Sequence, residues 1–75
     1  VLFRSAKDFV RIEYPKTDRK NEVFVTIYTM QGQMVKQYRF HSHEINVDIG
    51  SLQKGVYIFK VKDQHHSAIR KVIKK

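Results

Sequence analysis

Apolar and polar residues alternate with a period of two along most of this chain, and polar or glycine-bearing breaks interrupt the alternation at short intervals. That rhythm is the one left by short β-strands of a sandwich or barrel. A first strand is predicted over Phe9 to Tyr14, stopped by Pro15, which has no amide hydrogen for a central ladder, and followed by the polar loop Lys16 to Asn21. The second, Glu22 to Thr29, sends Val23, Val25 and Ile27 to one face, the expected core face, and Phe24, Thr26 and Tyr28 to the other. Met30-Gln31-Gly32-Gln33 reads as a tight reversal in which Gly32 takes positive φ.

The third strand, about Gln33 to Phe40, groups Met34, Lys36, Tyr38 and Phe40 on one face, with the lysine stem lying along its apolar neighbours. After His41-Ser42-His43 the segment Glu44 to Ile49 turns Ile45, Val47 and Ile49 inward, the clearest period-two stretch of the chain. Gly50 to Lys54 reads as one short helical turn or a loop, with Leu52 tucked under the sheet. Gly55 opens a strand whose Tyr57, Phe59 and Val61 face the core, opposite Val56, Ile58, Lys60 and Lys62. A polar turn over Asp63 to His66 leads to the last strand, Ser67 to Lys74, in which neither parity is uniformly apolar; a bulge or an edge position accounts for that.

With no long helix to cover a single open sheet, these strands predict an all-β, immunoglobulin-like antiparallel β-sandwich of about six to seven short strands. At 75 residues there is room for one domain. The stretch Val1 to Asp8 shows no clear period and reads as linker, or as residues foreign to the domain, so the domain is expected over 9–75. Without cysteine the fold has no disulfide or thiolate metal site to staple it. The start lacks both an initiator Met and a signal-peptide core, which suggests a piece of something longer, and no apolar run approaches the roughly 20 residues of a membrane-spanning helix.

Charge sharpens the picture. Of the net +8, Lys54 to Lys75 carries most, with seven basic residues against Asp63 alone. Such an end attracts acidic partners, and it equally describes a solvated, solubilising surface.

Read in order, four elements resemble the C-terminal sorting domains of type IX secretion cargo: Val25-Thr26-Ile27-Tyr28 followed by Gly32-Gln33-Met34-Val35; Ile45 to Leu52; Lys54-Gly55-Val56-Tyr57-Ile58; and the closing Lys71-Val72-Ile73-Lys74. Members of that family commonly open with a Pro-Asn-Pro element before the first strand; here the only proline, Pro15, follows it, so that element lies upstream or the member is divergent. The resemblance implies a removable address label that carries N-terminally attached cargo from the periplasm across the outer membrane, to the cell surface or the extracellular space. The implied partners are the outer-membrane translocon, a surface sortase-like peptidase that cuts near or upstream of Val1 and joins cargo to an anionic lipopolysaccharide, and the cargo domain itself.

Gly32, Gln33, Gly55 and Tyr57 are then expected to build the recognised shape, the glycines as turn residues and Tyr57 as an apolar body with a hydroxyl free to pair at the sandwich end. Lys71, Val72, Ile73, Lys74 and Lys75 are the candidate receptor-recognition residues, read by strand addition and charge pairing. Lysines guarding an exposed edge against aggregation give the same pattern, and such an edge can also pair two copies weakly.

Other chemistry finds little support in the sequence. His41, His43, His65 and His66 read as turn histidines rather than metal ligands, and Ser42 and Ser67 lack any nucleophile-elbow or oxyanion-loop context, so no catalytic, cofactor or metal residue is expected. Rival readings are a polyanion- or nucleic-acid-binding module using Tyr38, Tyr57 and Phe59 to stack, weakened because Tyr57 and Phe59 should face the core, and a non-catalytic spacer or adhesion domain. Neither nucleic acid nor membrane insertion is expected.

Overall fold

The computed structural model describes residues 2–14, 22–42, 44–63 and 66–75. Pro15, the polar loop to Asn21, His43 and His65 lie outside them. Seven strands occur in the order β1 (Leu2–Ser5), β2 (Phe9–Glu13), β3 (Val23–Thr29), β4 (Met34–Phe40), β5 (Glu44–Asp48), β6 (Gly55–Lys62) and β7 (Ser67–Lys74), with no helix among the described residues. They form two antiparallel sheets, β1-β2-β5 and β4-β3-β6-β7, in the immunoglobulin-like sandwich arrangement that the alternation predicts.

The core is the set of inward parities. Val10 and Ile12 from β2, Val23, Val25 and Ile27 from β3, Val47 from β5, and Phe59 and Val61 from β6 are fully buried between the sheets. Each such side chain withdrawn from water contributes ~1.5–3 kcal/mol before ordering costs. Ile49 and Tyr57 join this core, and Leu52 packs against it from the β5–β6 loop.

Two features depart from the sequence-based expectations. Leu2–Ser5, inside the stretch read as linker, pairs antiparallel with β2 in the register Leu2↔Glu13 to Ser5↔Val10. Part of that stretch is therefore folded. Its aromatic side chain Phe3 stacks edge-on against Phe59, with centroids 6.2 Å apart and planes at 85°, and Arg70 lies 5.8 Å above the Phe3 ring.

Met34 leaves the face it was expected to share with Lys36, Tyr38 and Phe40. The register shifts from Ile27↔Lys36 to Tyr28↔Met34, which places Met34 opposite an outward-facing residue and leaves it 61% exposed. The irregular parity of the last strand has the other explanation, an edge position: β7 pairs with β6 without a break from Gly55↔Lys74 to Lys62↔Ser67 and has no second partner among the described residues. Ala68, Arg70, Val72 and Lys74 take the inward parity there, so the margin of the core is partly basic.

At one end of the sandwich the Tyr14 hydroxyl donates to the Asp63 carboxylate, which also accepts from the His66 backbone amide at 2.5 Å and so closes the β6–β7 turn. Burial and the neighbouring carboxylate raise the Tyr14 pKa to about 12.

Candidate functional site

The opposite end is where the dispersed family-like elements meet. Pairing of Thr29 with Tyr57, and of Tyr57 with Val72, lines up the end of β3, the start of β6 and the end of β7. Pairing of Phe9 with Asp48 brings the β1–β2 corner and the β5–β6 loop to the same end.

Each element there is held by local chemistry. The β3–β4 reversal closes through Thr29 N to Gln33 O at 2.9 Å and Gly32 N to Thr29 O at 3.0 Å, with the Thr29 hydroxyl accepting from Gln33 N at 3.2 Å. Gly32 adopts φ +90°, as expected of the turn, where a side chain would be strained although nothing obstructs it. The Asp48 carboxylate accepts from Gly50 N at 2.8 Å, and Leu52 N donates to Ile49 O at 3.0 Å, which fixes the loop before β6. The Tyr57 hydroxyl donates to Gln53 O at 2.7 Å, so its ring enters the core while its polar tip ties down the same loop. Gly55 opens β6 at φ +155°. Gln33 contributes through its backbone and Tyr57 through packing, so both shape this end.

The five tail residues separate into two groups. Lys71 and Ile73 point outward, Ile73 being 54% exposed, and Lys75 is exposed at the terminus. Val72 packs in the core. Lys74, expected among the receptor-recognition residues, is only 8% exposed: its ammonium donates to Lys7 O at 2.6 Å and lies 3.3 Å from the Asp8 carboxylate. Asp8 O in turn accepts from Ile49 N at 2.9 Å. Lys74 thus fastens the last strand to the corner that leads into β2, and through it to the β5–β6 loop. Its parity with Val72 is the one sequence signal that pointed inward.

Residues 6–75 match the family described as the secretion system C-terminal sorting domain. The chain belongs to this family. As a type IX sorting signal, the domain works with the secretion machinery on behalf of an N-terminal cargo that is exported to the outer membrane, the surface or the extracellular space. The family is a non-catalytic signal. No curated protein sequence matches the chain.

Among the described residues no three of His, Cys, Asp or Glu come together as a metal group. His41 lies 3.8 Å from Glu22, and His66 adjoins Asp63 at the end opposite the converging elements. Tyr57 and Phe59 are buried, as expected, and so are not presented for stacking on bases.

Proposed function

We propose that this domain is the address read when cargo attached to its N-terminus passes from the periplasm through the outer-membrane translocon, after which a surface sortase-like peptidase removes it and joins the cargo to an anionic lipopolysaccharide. The observation that carries this reading is the convergence, at one end of the sandwich and along its β7 edge, of the elements by which the sequence resembles the family. Gly32, Gln33, Gly55 and Tyr57 set the shape of that end. Lys71, Ile73 and Lys75 meet the receptor, which adds a strand to the open edge of β7 and pairs carboxylates with the lysines. Val72 and Lys74 act as positioning residues that hold β7 in place.

The test is export of a reporter fused ahead of the domain in a bacterium that carries type IX machinery. The unaltered domain should deliver the reporter to the surface or medium, and a Lys71→Ala/Ile73→Ala/Lys75→Ala variant should leave it in the periplasm while retaining a native melting transition. Normal export of that folded variant would sink the assignment of the tail.

A further inference from the structure

The two outer faces of the sandwich differ in charge chemistry. On the three-stranded sheet, Arg11 pairs with Glu44 and lies 3.6 Å from Glu13, while Arg4 lies 3.8 Å from Glu13; positive and negative groups are interspersed. The strands of the four-stranded sheet contain no acidic residue at all. The β6–β7 half of its outer face alternates isoleucines with lysines: the registers Ile58↔Lys71 and Lys60↔Ile69 set a lysine beside an isoleucine on both strands, and Lys62 and Ile73 continue the two rows. Ile69 is 60% exposed. Among the described residues none of Lys60, Lys62 and Lys71 takes part in an ion pair.

We infer that this outer face, well beyond the terminal residues, is a docking surface for an acidic protein partner whose carboxylates alternate with apolar groups. The inference rests on the sorting reading, since Lys71 and Ile73 belong both to this face and to the proposed tail contact. Charge complementarity selects the occupant. A second copy of the chain would set lysine against lysine, which is repulsive. On a lipid surface Lys60 and Lys71 stay at the headgroups, and the registers Ile58↔Lys71 and Lys60↔Ile69 hold their isoleucine neighbours at the same level, out of the hydrocarbon. A folded surface presenting acids between apolar side chains satisfies both residue types at once. It buries the two protruding isoleucines, Ile69 and Ile73, while pairing the cations.

The experiment uses the reporter fusion with three domains: unaltered, Lys60→Glu/Lys62→Glu on the outer face of β6, and Arg4→Glu on the opposite face. Export should fall about tenfold or more for the β6 variant, because each reversed charge meets a carboxylate, and less than about twofold for Arg4→Glu. Thermal melts of the isolated domains confirm that all three are folded; if Lys60→Glu/Lys62→Glu melts early, Lys60→Gln/Lys62→Gln takes its place, with the same direction of change expected. Equal export by the folded β6 variant and the unaltered domain would overturn the docking face and leave the sorting reading standing. Failure of the unaltered domain to export would instead overturn the sorting reading and this inference with it. Sedimentation with vesicles containing an anionic phospholipid supplies the remaining arm: binding abolished by Lys60→Glu/Lys62→Glu would assign the face to lipid and refute a protein partner.

Discussion

Replacing Lys74 with Met separates two roles that its place in the tail confounds. The substitution keeps an unbranched stem along the core margin and removes an ammonium that donates to Lys7 O at 2.6 Å and sits 3.3 Å from Asp8. A hydrogen bond from a charged group contributes ~1.5–3 kcal/mol. Part of that is returned because a largely buried ammonium no longer has to be desolvated. The Asp8 side chain is 67% exposed and rehydrates easily, so its share is small. The net loss is therefore about 1–2 kcal/mol, which for a domain of this size lowers Tm by about 4–16 °C. Lys74→Arg, which keeps the charge but not the compact ammonium, should fall between Met and the unaltered residue. The assay is a thermal melt of the 75-residue domain beside reporter export at a temperature well below both transitions. A positioning role predicts a lower Tm with export largely retained under those conditions. An unchanged Tm with export abolished would refute it and make Lys74 a direct receptor contact.

Other outcomes follow from the same structure. Tyr14→Phe removes a buried donor to the Asp63 carboxylate and should cost ~1.5–3 kcal/mol, read as a shift in the denaturant midpoint without a change in slope. Because the Tyr14 pKa is raised to about 12, an unfolded chain sheds the tyrosine proton from about pH 10 while the folded one still holds it. Stability supplied by this group is thus complete below pH 10 and is lost as pH rises to about 12; the unaltered domain should lose more stability than Tyr14→Phe across that window, and parallel curves would refute the coupling. Gly32→Ala places a side chain at φ +90° and should cost ~1–2 kcal/mol in a chemical melt without altering the sheet spectrum. Val72→Ala, in the core, should destabilise clearly, whereas outward-facing Ile73→Ala should change stability by less than about 0.5 kcal/mol.

What could be read from sequence was the part of the fold fixed by a single strand's own period. Val23, Val25 and Ile27, Val47 and Ile49, and Tyr57, Phe59 and Val61 face the core as their alternation requires, since a one-residue slip would expose a whole row. The features that escaped are set between segments. β1 spans four residues, too few for a period to emerge, and is held by pairing with β2 and by the Phe3–Phe59 contact. The exposure of Met34 follows from a register shift against β3, which β4 alone does not encode. In the candidate site, the turn glycine Gly32 and the anchoring hydroxyl of Tyr57 were legible because φ and amphipathic chemistry are local properties. The burial of Lys74 depends on a corner 66 residues away in the chain, and a lysine near a terminus reads as solvated until that corner is in place.

This placement bears on how the tail can be probed at all. Deleting Ile73 to Lys75 removes two outward candidates, but it also removes the Val56↔Ile73 and Gly55↔Lys74 pairs and the ammonium that fastens the β1–β2 corner. The start of β6 would then lose its outer neighbour, and the loop tied by Tyr57 and Ile49 would lose part of its support. Failed export after such a truncation is therefore expected both from loss of a receptor contact and from loosening of the recognised end. Substitutions that respect the strand's parity divide the two: Lys71, Ile73 and Lys75 can change while β7 stays paired, and Val72 and Lys74 can change while its outer face stays the same. If export follows the first set and Tm the second, recognition lies on the outward face of β7; if both follow the second set alone, the domain is read through the shape of its end and the exposed lysines guard an open edge.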